Sequence, residues 1–437
     1  MFELNIFLFS IIVIPYTIIY IKRYKLTPVS FFLVMEIGYF YGICFAPKGQ
    51  LDVAIKLETI YVVALISFIL GVELCKRVRF PNETYICDLN LQSVESFKDN
   101  NITRDQRITI WVIIAVSILA CSYLFVSGGV NVFLRSLMDF FSESSSTYKN
   151  ERASYFSVGG MGYIYQFRAI LLPILSVYIV FCDKKKLPKF ISIPLIVLMI
   201  VFLLGTGQRN AFIFFCIIVF MYSLVMYIEF KVHIFTKGQY IFFGAAALLF
   251  LIALTLSNGR VSSDSNRVLG ALQSLADRAL SVNQRTAINA FSYIDTQPTV
   301  WGYDWMMTLR DLLPGKSGYM TVSRITYYLA YGSYNGTGDP CIWGSAWYNF
   351  HFIGVTIFPF VMGFAYHRVY KHMMNVKNKD RLYMLIYCGL SVYLGLWVYG
   401  TPMNLFNIGV VALFILRWIL FTILNKRNVM ETTNGEQ

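Results

Sequence analysis

The sequence predicts an all-α integral membrane protein with about eleven transmembrane helices and one large loop on the outer face. Three observations carry that expectation. Hydrophobic residues make up 57% of the 437 residues and charged residues 14%, where a soluble protein carries roughly 25% charged residues. The apolar residues fall into runs of about 20, the length a helix needs to cross a bilayer. The net charge of +13 resides largely in short loops on one side of those runs. That is a topology signal. It excludes the usual nucleic-acid footprint, because apolar spans separate the basic residues.

Eleven spans are expected at about 3–21, 27–46, 57–75, 108–127, 161–182, 190–206, 210–229, 239–257, 346–366, 382–400 and 405–424. The first, MFELNIFLFSIIVIPY, lacks a basic leader and a cleavage site, so it reads as a membrane helix and not a removable signal. Lys22, Arg23 and Lys25 follow span one; Lys76, Arg77 and Arg79 follow span three. Lys184, Lys185, Lys186 and Lys189 follow span five, and Lys231 and Lys237 follow span seven. Arg368, Lys371, Lys377, Lys379 and Arg381 follow span nine, and Lys426 and Arg427 follow the last. Every odd-numbered span therefore ends on the basic, cytoplasmic side. The N-terminus is expected outside and the C-terminus inside. Three regions result: 1–257 with eight spans, 258–345 as the large outer loop, and 346–437 with three spans and a short tail.

Ionisable residues inside the spans are few. Glu36, Arg168 and Arg417 are costly there unless paired or functional. Arg168 lies about two turns into span five from the outside, deep enough to line an outer cavity; pairing is expected for Glu36 and Arg417. Spans six and seven are joined by almost nothing, GTGQRN at 205–210. Its glycines allow close backbone approach, and Arg209 falls at the outer membrane boundary, facing a cavity or a salt-bridge partner. The eight cysteines show no CxxC and no zinc spacing. Only Cys44 and Cys341 fall near the outer face, where a disulfide between them is open to test.

The loop from Ser257 to Ser345 carries Arg260, Arg267, Arg278, Arg285, Arg310, Lys316 and Arg324. Interleaved with them are Tyr293, Trp301, Tyr303, Trp305, Tyr319, Tyr327, Tyr328, Tyr331, Tyr334 and Trp343. Guanidinium groups match phosphate with a rigid fork that lysine lacks. Aromatic faces beside them suit a ligand with phosphates at one end and sugars at the other. An amphipathic loop lying in the membrane interface would show the same composition.

There is no Walker A loop, no HExxH and no GxSxG, and the outer face carries no DxD pair. Fixed cations could stabilise charge developing on a pyrophosphate leaving group. Transfer onto a sugar hydroxyl needs an acceptor to orient or deprotonate that hydroxyl. The outer-face candidates are Asp304, Asp311, Asp339 and His351, the last being the one histidine of four on that side. A local ion pair or turn cap explains Asp311 equally well.

Four stretches, in order, resemble the bacterial Wzy-type oligosaccharide repeat-unit polymerases, which build O-antigen, capsule and enterobacterial common antigen. They are LLGTGQRNAFIFF, LSNGRVSS, DRALSVNQRTAINAFSYID with WGYDWMMTLRDLLPGK, and GDPCIWGSAWYNFHFIGVTIFPFVMGFAYHRVY. The resemblance implies a GT-C-like helical fold in the bacterial inner membrane, with the loop in the periplasm. It implies transfer of a growing glycan from undecaprenyl pyrophosphate onto a new undecaprenyl-pyrophosphate-linked repeat unit, without metal or other cofactor. A chain-length regulator, a flippase and membrane lipid are the implied partners, and nucleic acid is not. Arg209, Arg260 and Arg278 match family arginines by position. Lys316 stands where a relative has arginine and lacks the fork. Arg285 and Arg310 join this pyrophosphate-binding set on composition alone. Trp301, Tyr303, Trp305 and Tyr319 are the expected sugar-binding aromatics. Arg209, Asp311, Asp339 and His351 are the expected catalytic residues. Two other readings stay open: an O-antigen ligase, which uses the same donor, and a transporter of lipid-linked glycans, which the one-sided charge disfavours.

Overall fold

The computed structural model describes residues 2–44, 51–78, 102–124, 126, 161–204, 209–238, 240–241, 244–245, 282–313, 318–332, 338, 340–376, 379–398 and 400–424. Every regular element among them is helical. In chain order these are α1 (Phe2–Tyr24), α2 (Pro28–Cys44), α3 (Leu51–Arg77) and α4 (Arg104–Leu124). Next comes α5, which runs from Met161–Gln166 through the π-turn Phe167–Leu171 and the helix Leu172–Val177 to the π-turn Tyr178–Cys182. Then follow α6 (Lys189–Leu204), α7 (Arg209–Phe230), α8 (Asn283–Ile294), α9 (Tyr303–Arg310) and α10 (Val322–Tyr331). The last are α11 (Ile342–Met374), α12 (Arg381–Gly395), α13 (Met403–Asn407) and α14 (Val410–Trp418), which ends in the π-turn Ile419–Ile423.

Six of the described helices are long and apolar enough to cross a membrane: Glu3–Tyr24, Leu51–Arg77, Arg104–Leu124, Gly162–Cys182, Asn210–Phe230 and Ile342–Met374. Four shorter apolar helices, Pro28–Cys44, Lys189–Leu203, Arg381–Gly395 and Val410–Ile423, fall at further expected positions. Span eight, expected at 239–257, lies almost wholly outside the described residues. The chain is a multi-pass membrane protein by the length and apolarity of these helices.

Two compact units divide the chain, each built from separate stretches of sequence. The first comprises Met1–Tyr85, Gln273–Asn375 and Ser391–Ile408. Its centre is the packing of α3 against α11, flanked by α1 and α2. Two glycines make that packing close. A Cβ on Gly71 would stand 1.9 Å from the carbonyl oxygen of Phe360, and one on Gly363 would stand 2.1 Å from that of Phe68. Small residues at such crossings let helix backbones touch where lipid offers no hydrophobic drive. Lys371 then closes the end of α3, its Nζ donating to the carbonyls of Cys75 and Val78 at 2.8 and 3.2 Å. These are two of the carbonyls a helix C-terminus leaves open.

α11 is not one straight helix. His351 has φ 49° and ψ −131°, a left-handed backbone that non-glycine residues rarely adopt. The chain turns sharply there. The carbonyl oxygen of Ala346 comes within 2.2 Å of where a Cβ on Gly354 would stand, although eight residues of straight helix span about 12 Å. The arm 342–350 therefore folds back beside the arm 352–374. It carries the Trp343 ring next to Phe358 at 6.5 Å, Phe32 at 6.1 Å and Tyr61 at 6.5 Å. Cys341 caps the first arm, its Sγ accepting the Gly344 N–H at 3.2 Å. Neither Cys341 nor Cys44 is in a disulfide, so the bridge left open by the sequence is not formed.

The second unit comprises Ile86–Leu272, Val376–Leu390 and Gly409–Gln437. The π-turn Phe167–Leu171 is its hub, packing against α4, α6, α7 and α14. Arg107 pairs with Asp183 at 2.5 Å, and Gln106 Nε2 donates to the Leu420 carbonyl at 3.0 Å. These polar ties join α4 to the ends of α5 and α14. Arg417 lies over the Tyr383 ring at 5.5 Å. Glu36, in the first unit, is fully buried.

Candidate functional site

In the second unit the candidate site begins with Arg168, whose side chain is 2% exposed. A π-turn carries it, and π-turns recur at functional positions because the widened turn re-aims side chains. Its Nη1 donates to the Phe202 carbonyl at 3.4 Å, and its guanidinium lies over the Tyr165 ring at 5.4 Å. Phe202 is two residues from the end of α6, and Arg209 is the first residue of α7. The turn joining those helices is GTGQR, of which 205–208 lie outside the described residues. A buried guanidinium is thus held beside the helix end that leads into the Gly-x-Arg turn. Arg260 and Arg278 lie outside the described residues.

In the first unit the second half of the large loop is laid over the folded-back arm of α11. Val300 N–H donates to the Tyr348 carbonyl at 3.3 Å, and Gly302 N–H donates to the Asn349 carbonyl at 3.2 Å. Asn349 Oδ1 accepts the Trp305 N–H at 3.2 Å, and its Nδ2 donates to the Ser345 carbonyl at 2.9 Å. These bonds satisfy backbone that lies outside regular structure. They also sort the four expected sugar-binding aromatics. Trp305 is taken up in packing: its Nε1 donates to Ser345 Oγ at 2.8 Å, and its ring meets Phe350 and Phe358. Trp301 is 71% exposed and Tyr303 45% exposed. Tyr319 meets Tyr303 edge to face at 5.2 Å. Trp305→Ala is expected to cost about 3 kcal/mol of stability. Trp301→Ala should stay within about 0.5 kcal/mol. Melting of the two purified variants checks the contrast, and equal losses would contradict it.

The expected acids separate as well. Asp311 is half-buried at the end of α9, its own N–H bonded to the Met307 carbonyl at 3.1 Å. Asp339 lies outside the described residues. His351 is half-buried at the bend, its ring 4.3 Å from that of Trp347. Asp304, set aside from the expected catalytic set, is fully buried on α9. Its Oδ1 accepts the N–H of Val322, the first residue of α10, at 2.8 Å. Oδ2 has no hydrogen-bond partner among the described residues, and the Asn349 side chain lies alongside. Burial raises its carboxyl to about 6, against the pull of the Val322 N–H and Asn349. The same burial raises the neighbouring Tyr319 phenol.

That carboxyl makes a pH prediction. Its folded affinity for a proton exceeds the ordinary one, so the folded state binds more protons between about pH 4 and 6. Stability therefore falls as pH rises through that window, by roughly 3 kcal/mol if Asp304 acts alone. Asp304→Asn should flatten this part of the melting-versus-pH curve while keeping an acceptor for Val322. An unchanged slope would remove Asp304 as its source.

Arg285 and Arg310 are both exposed, on α8 and α9, and Lys316 lies outside the described residues. The structure thus brings Tyr303, Tyr319 and Asp304 together, with the exposed Trp301 two residues before Tyr303 in the chain. Separately, it places Arg168 next to the helices of the Arg209 turn. Asp304 could have been found from its spacing: Asp304 and Thr308 are the buried positions of α9, one helical turn apart. No family model, no characterised protein and no solved structure matches this chain.

Proposed function

We propose that this chain is a membrane glycosyltransferase that polymerises lipid-linked oligosaccharide repeat units at the periplasmic face of a bacterial inner membrane. The observation that carries the reading is the placement of Arg168. It is a fully buried guanidinium on a π-turn packed against both helices of the Gly-x-Arg turn. A fixed cation at that level suits a pyrophosphate joined to a membrane-held lipid, and it costs no reorganisation during reaction. The ordered resemblance of the loop stretches to the repeat-unit polymerases supports the same reading. On this proposal the fold is GT-C-like with eleven spans, the N-terminus is periplasmic and the C-terminus cytoplasmic.

The chemistry is a displacement at the anomeric carbon of the donor glycan. A hydroxyl of the new repeat unit forms the glycosidic bond, and the bond from the anomeric carbon to pyrophosphate breaks. Undecaprenyl pyrophosphate leaves, and Arg209, Arg168, Arg260 and Arg278 offset the charge it acquires. The hydroxyl proton passes to a carboxylate, to His351 or to water. Trp301, Tyr303 and Tyr319 offer ring faces to the sugars. Purified protein in vesicles, given only lipid-linked single repeats, is expected to produce a ladder of longer chains without any nucleotide sugar. Absence of a ladder from folded protein would count against the proposal.

A ligase would use the same donor and the same arginines, with a different acceptor. The exposed Trp301 and Tyr303 fit either acceptor, so the product decides between them. A transporter is the weaker reading, since the arginine-rich loop is expected on one face of the membrane only.

A further inference from the structure

A cavity of about 420 Å³ lies in the crook of the α11 bend. One wall is the N-terminal half of α3, from Asp52 to Val63, and the other is Trp347, Phe352 and Val355 of α11. Its lining is mostly apolar, with Ile55, Ile60, Val63, Phe352 and Val355 among it. Both walls belong to helices long enough to cross a membrane. The neighbouring face of α11 is apolar and open, with Phe352 62% and Ile357 58% exposed. What meets the opening is therefore the hydrocarbon of the bilayer.

The rim says which lipid. The 27 residues of α3 span about 40 Å, against a hydrocarbon core of about 30 Å. Asp52 and Lys56, in its first two turns, thus stand at headgroup level, while Thr59 to Val63 stand within the hydrocarbon. Lys56 is paired with Asp295 at 2.6 Å. Asp52 is exposed and has no ion-pair partner among the described residues. Among the described residues the rim carries Asp52 and the Lys56–Asp295 pair, two carboxylates and one ammonium, which match a headgroup bearing its own ammonium better than an anionic one. Trp347 supplies a further clue. Its indole N–H is buried and has no acceptor among the described residues. A buried donor without a partner is costly, and an ester carbonyl at the top of an acyl chain would relieve it. Prenyl phosphates have no such carbonyl.

We propose that this cavity is a binding site for a zwitterionic aminophospholipid such as phosphatidylethanolamine. One acyl chain fills the crook of the α11 bend, an ester carbonyl accepts from Trp347, the phosphate meets Lys56 and the ammonium meets Asp52. None of its lining residues is among the arginines that the proposed function assigns to pyrophosphate, and the inference does not depend on that assignment.

Photo-crosslinking tests it. The full chain is placed in vesicles containing phosphatidylethanolamine with a diazirine near the ester end of one acyl chain, and labelled peptides are mapped by mass spectrometry. Label is expected within residues 52–63 and 347–355. It should be lost in Val63→Trp, which fills the cavity. It should persist in Leu70→Trp, which adds the same ring at a position 55% exposed on the same helix. Asp52→Lys changes an exposed side chain, so folding is not at stake. That variant should shift preference to the same probe carrying a phosphatidylglycerol head. Label elsewhere, equal labelling of wild type by both headgroups, or displacement by an equal concentration of undecaprenyl phosphate would each overturn the proposal. The last result would assign the cavity to a prenyl-linked lipid instead.

Discussion

Arg209→Ala is expected to abolish glycan chain growth while the protein stays in the membrane at its normal level. Removing one preorganised donor from a developing oxyanion typically costs 10²–10³ in rate, about 2.7–4 kcal/mol of transition-state stabilisation. Arg209 opens α7. The helix N-terminus adds its own partial positive charge at the same point. Arg209→Lys should recover only part of the loss, because the charge returns without the bidentate fork. Chain length by gel and protein abundance by immunoblot, measured on the same membranes, check the prediction. Normal chain length in Arg209→Ala would remove this residue from the mechanism.

Gly363→Ala and Gly71→Ala are each expected to destabilise the first unit heavily. Overpacking a filled core costs typically 1–3 kcal/mol, occasionally more. Here the obstacle is backbone, the carbonyls of Phe68 and Phe360, so α3 and α11 must separate to make room. That separation would widen the pairing on which Lys371 closes the end of α3. Both glycines serve one crossing, so the double variant should cost less than the sum of the single ones. Thermal unfolding of the purified variants is the measurement. Wild-type melting in either single variant would mean the two helices are not packed backbone to backbone.

Much of the architecture was legible because it depends on local composition. Apolar runs announced eleven spans, and among the described residues six helices long enough to cross a bilayer and four shorter apolar ones fall at ten of those positions, since the bilayer requires only length and apolarity. The bend at His351 was not legible. The stretch NFHFIG contains no proline, and Pro359 sits inside the second arm without causing the bend. The turn depends on Trp343 lodging among Phe32, Tyr61 and Phe358, residues far apart in the chain. The Gly71–Gly363 contact was hidden for the same reason, since neither glycine shows its partner along the sequence.

The site was read in part. The aromatics were found as a cluster, but WGYDW does not reveal that Trp301 faces outward and Trp305 inward. That sorting follows from the bonds of Asn349 and Ser345, which lie forty residues on. Asp304 was legible only as one outer-face acid among several, because a carboxylate at a buried helix position runs against the hydrophobic pattern. Arg168 showed itself by a rule that works from sequence alone, that a cation within an apolar span has a reason to be there.

Mass spectrometry of lipid-linked glycans, in cells with and without the gene, decides whether this protein polymerises repeat units. Deletion is expected to leave single repeats on undecaprenyl pyrophosphate, and the gene to restore a ladder spaced by one repeat mass. Long chains persisting on undecaprenyl pyrophosphate after deletion, without transfer to the outer-membrane lipid, would contradict it and identify a ligase. Single repeats trapped on the cytoplasmic face would contradict it in favour of a transporter.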